Sequence, residues 1–274
     1  PVQMDEYLPA GKSIVLGLQH AFAMFGATVL APLLMGFDPN LTILITGIGT
    51  ILFFLITGGR MPSYLGSSFA FIGAVAAATG YAGAGSNPNI AWALGGTIVC
   101  GLIYAGIGLI VMKTGTSWIE KLMPPIVTGA IVMIIGLNLA PVTIKSVSAS
   151  SFDTWMAVVT IICISVVAVF TRGMVRRLLL LLGLVAAYFI YFLMTNVMGF
   201  GTPINFSIIS EAAWMGLPTF HSPVFNANAI LLIAPVALIL VAENLGHFKA
   251  VSGMTGKNLD PDMGRAFFAD GVCT

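Results

Sequence analysis

The sequence predicts an all-α polytopic membrane protein, and three observations carry that prediction. Hydrophobic residues make up 58% of the chain and charged residues only 8%, against about 25% charged in soluble domains. Apolar runs recur along its whole length, most of them able to cross a hydrocarbon core of about 30 Å at 1.5 Å per residue. Lysine and arginine gather in alternate loops, as the charge rule for cytoplasmic loops requires. The net charge of +1 offers no field for nucleic acid. Cys100, Cys163 and Cys273 are far apart and have no metal-ligand spacing. No nucleophile–base pair or metal set recurs at readable spacing, so the chain does not read as an enzyme.

Eight apolar segments follow in order. Ser13 to Gly36 is the first, interrupted by Gln19-His20, and the short turn Phe37-Asp38-Pro39-Asn40 returns the chain antiparallel through Leu41 to Thr57. After Gly58-Gly59-Arg60-Met61-Pro62, the third segment contains Pro62, Gly66 and the pair Ser67-Ser68. These residues argue for an extended entry and a helix that begins only near Phe69 to Phe71, the pattern of a discontinuous membrane helix. Ala91 to Met112 is rich in glycine, which suits close helix contact. Pro124-Pro125 opens the fifth segment, to Leu139, because proline fits a first helical turn. A loop from Pro141 to Asp153 is expected next, then Trp155 to Phe170, Leu178 to Met198, a long connection from Gly199 to Phe225, and an eighth segment from Asn226 to Phe248.

With the N-terminus inside, Lys12, Arg60, Lys113, Lys121, Arg172, Arg176, Arg177, Lys249, Lys257 and Arg265 fall on the cytoplasmic side, and Lys145 outside. Dropping any segment, the odd third one included, would scramble the later loops. Eight crossings are therefore expected, with the eighth running from outside to inside.

Within that frame the polar residues at depth stand out. Charges there cost roughly 3 kcal/mol on insertion scales, so an intramembrane acid is by default a site hypothesis. Glu243 and His247 are four residues apart and share a helix face. An interfacial end with snorkelling charges is the competing reading, but a short glutamate snorkels poorly. For His20 an interhelical hydrogen bond is the favoured role. The break at Ser67 to Phe71 places backbone N–H groups at depth, where polar backbone must be buried in protein or line a cavity. Gln19-His20, the break and Glu243 together imply one shared cavity.

Gln19-His20-Ala21-Phe22-Ala23-Met24-Phe25-Gly26-Ala27-Thr28, Pro62 through Phe71, and Ala242-Glu243-Asn244-Leu245-Gly246-His247 resemble the first, third and eighth helices of the nucleobase–cation symporter-2 (nucleobase:ascorbate transporter) family, in particular its bacterial uracil and pyrimidine permeases. The resemblance covers essentially the whole chain. It implies fourteen spans in two inverted repeats of seven, the first over about 13–199 and the second beginning over about 226–274. It also implies proton-coupled uptake of uracil or a related pyrimidine across the bacterial cytoplasmic (inner) membrane, with a homodimer as a further expectation. Glu243 would accept from the ring N–H groups of the base, and His247 would support that site or couple it to protons. The backbone at Phe71 would donate to a ring carbonyl. Phe69, Ala70 and Phe71 would pack against the base, and Gln19 and His20 would support the site. Because protonation relieves a buried carboxylate of its charge, Glu243 is the expected proton carrier, and no cofactor or metal is implied beyond that coupling proton.

The family's later spans, among them a tenth that faces the third and adds a second acid, have no counterpart before Thr274. A truncated chain, inactive alone, is thus expected. A purine (xanthine or urate) permease of the same family and a non-transporting membrane fragment are the alternative readings. Anion exchange on the same architecture is disfavoured by the acid at position 243.

Overall fold

The computed structural model describes residues 8–81, 85–172, 178–211, 216 and 218–274. Every regular element among them is helical. They divide into two compact units, one made of Gly26–Leu139 and Pro218–Thr274, the other of Pro9–Phe25 and Ala140–Leu217.

In the first unit a π-helical turn, Gly26–Leu30, leads into α2 (Ala31–Met35). Pro32 has no N–H for the carbonyl of Thr28, which accounts for a widened turn at this point. Gly36 ends α2 at φ 76°, and a Cβ there would lie 2.7 Å from Asn87, so only glycine fits. Helix α3 (Pro39–Thr57) starts on an Asp38 cap whose carboxylate accepts from Asn40 N–H at 2.9 Å. The other carboxylate oxygen accepts from the Thr219 N–H and hydroxyl, each at 3.2 Å. Burial raises the Asp38 pKa, but these hydrogen bonds outweigh it and leave the group below its ordinary 3.8. Residues 62–68 form no regular element, and α4 (Ala70–Thr79) begins within the expected window.

Helix α5 (Ile90–Thr114) is the centre of this unit. α6 (Ser117–Leu122) and the first part of α7 (Pro125–Val147) follow it. The eighth segment is broken: α11 (Ala227–Ile233) and α12 (Val236–Thr255) meet at Ala234-Pro235. A 3-10 turn, Asp260–Asp262, leads to α13 (Met263–Cys273), which lies along α5 with backbones in direct contact. At one end of the unit, Lys249 Nζ sits 2.9 Å from Glu120 and 2.8 Å from Asp260. The Lys249 hydrogen bond holds the Glu120 carboxyl below its ordinary range.

In the second unit α1 (Ala10–Ala23), α8 (Ser151–Phe170) and α9 (Leu179–Phe192) pack together, and a π-helical turn at Leu193–Val197 extends α9. Ser150 caps α8 through the Asp153 N–H at 3.0 Å. Asn196 clips the following loop by exchanging two hydrogen bonds with the Ile204 backbone, at 2.9 and 3.0 Å. Within the long connection a single turn of helix, α10 (Ser207–Glu211), forms.

Among the described residues five helices are long and apolar enough to cross a membrane, with α11 and α12 counted together as Ala227–Thr255, or six if the two halves of the first segment count as one. Two shorter apolar helices, Ala70–Thr79 and Leu181–Val197, coincide with the expected third and seventh segments. The expected loop at Pro141 to Asp153 is a correction: α7 runs through Pro141 to Val147, and α8 already starts at Ser151. Proline costs a hydrogen bond inside a helix but does not have to end one. Arg176 and Arg177, used to set the topology, lie outside the described residues.

Candidate functional site

The first unit brings the third and eighth segments together at one hydrogen bond. The Ser68 hydroxyl donates to Glu243 Oε2 at 2.8 Å and accepts from the Ala70 N–H at 3.2 Å. It is thus both the cap of the α4 entrance and the partner of the acid. Glu243 is twelve residues from the end of α12 at Thr255, roughly 18 Å along the axis. Glu243 is half-buried. Among the described residues its second oxygen, Oε1, accepts no hydrogen bond, so the carboxylate is oriented by one oxygen and offers the other.

The first segment reaches the same place through its second half. Ser67 N–H donates to the Ala27 carbonyl at 3.2 Å, and Thr28 and Tyr64 hydroxyls pair at 3.3 Å. Gly26 faces the Phe69 ring, whose edge would stand 3.8 Å from a Cβ there. Ala27 and Thr28 belong to the same sequence stretch as Gln19-His20, but those two residues sit on α1 in the other unit. His20 is exposed, and the Gln19 Oε1 is buried with no partner among the described residues.

Other expected residues take individual positions. Phe69 and Ala70 are half-buried at the α4 entrance, whereas the Phe71 side chain is buried in the core. Phe71 N–H makes a long 3.3 Å bond to the Ser68 carbonyl. His247 is exposed on the turn after Glu243.

Behind Glu243 lies a polar cluster that sequence reasoning missed. Asn244 Nδ2 donates to Tyr104 Oη at 2.9 Å and to Asp270 Oδ2 at 2.6 Å, joining α12 to α5 and α13. Tyr104 is fully buried. Its signal in the sequence was the matched spacing of Gly101 with Gly108 and of Gly264 with Gly271, which lets α5 and α13 approach closely enough to enclose it.

The described residues are all-helical, and a helix entrance set beside a carboxylate of another helix is the pattern on which secondary transporters build their substrate sites. A model of the Permease family (Xan_ur_permease) matches residues 11–274, and the chain belongs to that family. It is 66% identical over 273 residues to the "Putative pyrimidine permease RutG" of Escherichia coli (strain K12), covering 100% of this chain and 62% of that protein. It is 38% identical to the "Uracil permease" of Paenibacillus larvae over 286 residues, 100% of this chain and 65% of the relative. The "Uracil permease" of Bacillus subtilis (strain 168) is 32% identical over 283 residues, 95% and 61% respectively. The chain therefore spans about three fifths of the length of these relatives.

Proposed function

We propose that the protein is a pyrimidine permease that carries uracil or a related pyrimidine across the bacterial cytoplasmic membrane together with a proton. The relatives' names support the substrate class. The observation that carries the reading is the 2.8 Å bond between Ser68 and Glu243, because it joins a helix entrance rich in N–H groups to a carboxylate at depth. A flat base alternates N–H donors with carbonyl acceptors. It is complemented by a carboxylate opposite the donors and backbone N–H groups opposite the acceptors. Glu243 Oε1 takes the ring N–H, and the N–H groups at Ala70 and Phe71 turn from their local partners to a ring carbonyl. Phe69 packs on the ring.

Protonation of Glu243 removes the charge that makes its position costly, so the residue exchanges a proton in step with base binding. His247, one turn on, supports that exchange, with Gln19 and His20 as auxiliaries. The eight segments cross the bilayer with the N-terminus inside, as the opening of a seven-plus-seven inverted repeat, and the protein pairs as a homodimer. Uptake of labelled uracil and xanthine by cells lacking their own permease, expressing the full-length protein, tests this reading. Uracil uptake is expected, abolished by a protonophore and reduced at least tenfold, about 1.4 kcal/mol, by Glu243→Gln. Xanthine uptake without uracil uptake would mark a purine permease, no uptake would mark a non-transporting protein, and full proton-driven uptake by the glutamine variant would remove the proton role.

A further inference from the structure

The first unit contains a cavity of about 320 Å³ between the α4 entrance, the middle of α7 and the α11–α12 junction. Its wall includes Phe69 and Ala70, directly after Ser68, and Ile239, one turn before Glu243. Ser68 and Glu243 are therefore next to lining residues along the chain and along α12, without lining the cavity themselves. Its size is at the lower bound for small-molecule sites, which suits a single-ring ligand.

On α7 the lining residues are Ile131, Ile134, Ile135, Asn138 and Leu139, which recur at helical spacing and form one face. Asn138 supplies the one polar side chain among the described residues of the whole lining. It stands fourteenth in α7, roughly 20 Å from the helix start, and so at membrane depth. Its side chain makes no hydrogen bond to any described residue. A carboxamide at that depth is costly against lipid and useful against a polar ligand.

We infer that Asn138 is a specificity-determining residue that reads the base from the α7 side of this cavity. The inference rests on the nucleobase reading above and adds a residue that the Ser68–Glu243 geometry does not supply. In its ionised form Glu243 can only accept hydrogen bonds. A carboxamide sets one acceptor beside two donors and pairs with an adjacent N–H and C=O on the ring in a two-bond contact. One edge of the base then faces the carboxylate on α12, and a second edge faces the amide on α7.

Two measurements on the full-length protein test this. In uracil uptake, Asn138→Ala and Asn138→Leu are expected to raise KM about 5- to 30-fold with maximal rate per molecule retained, and Asn138→Gln to recover part of the loss. In a background with every native cysteine of the full-length protein replaced by alanine, Cys100, Cys163 and Cys273 among them, and uptake retained, Asn138→Cys is expected to react with a hydrophilic thiol reagent and to be protected by uracil. Leu137→Cys, one residue away and outside the cavity lining, is expected to react no faster with uracil absent than present. If wild type takes up uracil while the Ala and Leu variants keep KM within twofold, or uracil leaves Asn138→Cys labelling unchanged, the inference fails and the permease reading stands. If wild type takes up no pyrimidine, both fail together.

Discussion

Replacing Gly108 by alanine places a methyl group against another backbone. The added Cβ would lie 2.7 Å from Phe268 Cα and 2.9 Å from the Phe267 carbonyl carbon, with Phe268 N closer still. None of these atoms can swing aside as a side-chain end would, so α5 and α13 must separate by about an ångström, an overpacking that costs on the order of 1–3 kcal/mol. The separation spreads, because Gly264 opposite Met112 and Gly101 opposite Gly271 are equally tight, at 2.6 and 2.7 Å. At roughly 2–4 °C per kcal/mol for a chain of this order, the midpoint of thermal unfolding in detergent should fall by about 2–12 °C. Gly106 lies on the same helix with nothing within 4 Å of its would-be Cβ. Gly106→Ala should therefore hold the midpoint or raise it, since alanine is favoured over glycine in a helix by up to about 1 kcal/mol. Equal midpoints for the two variants would refute the close α5–α13 contact.

Ser68→Ala removes the donor that holds Glu243 Oε2 and the acceptor that caps Ala70 N–H, while leaving the acid itself. Uracil uptake should drop about 12- to 150-fold, from loss of a hydrogen bond to a charged group worth roughly 1.5–3 kcal/mol, with Ser68→Thr retaining most of it; uptake assays on both variants would show whether the hydroxyl matters. Asp38 has a depressed carboxyl, so its stabilising contribution is present above the ordinary value of 3.8 and is lost as pH falls through the lower folded value. Unfolding midpoints of wild type and Asp38→Asn should accordingly differ at about pH 6 and converge as the pH falls below 3.8 and through the lower folded value, and a difference that grew on acidification would contradict the hydrogen bonds from Asn40 and Thr219.

How far the fold could be read depended on what each proline and glycine was surrounded by. Pro62, Gly66 and the serine pair stand together, and that density of breakers marks the non-helical entry and the start of α4. Pro141 and Pro235 each stand alone in an apolar run. One is carried inside α7 and the other separates α11 from α12. A lone proline removes one N–H in both cases, and whether the helix resumes is decided by what packs around the freed carbonyl, which local sequence does not contain. Pro32 belongs to the same class, since it stands alone in the first segment and a π-helical turn lies just before it.

The site was half legible for a related reason. Glu243 and the Ser67-Ser68 break could each be recognised as an expense at depth, and their pairing across 175 residues follows once two such expenses must offset one another. Tyr104 and Asp270 were passed over, one inside a glycine-rich run and one in an apparent polar tail. Their role becomes physical through Asn244. Consecutive residues of a helix point about 100° apart, so Glu243 and Asn244 face different neighbours: the acid meets α4, and the amide meets α5 and α13. An α12 turned by one residue would carry the amide toward Ser68 and leave Tyr104 and Asp270 buried without their shared donor. The rear cluster thereby fixes the rotation of α12 and with it the aim of Glu243 at the α4 entrance. A substitution at Asn244, which touches neither Ser68 nor the cavity lining, would act on the site by letting that rotation go.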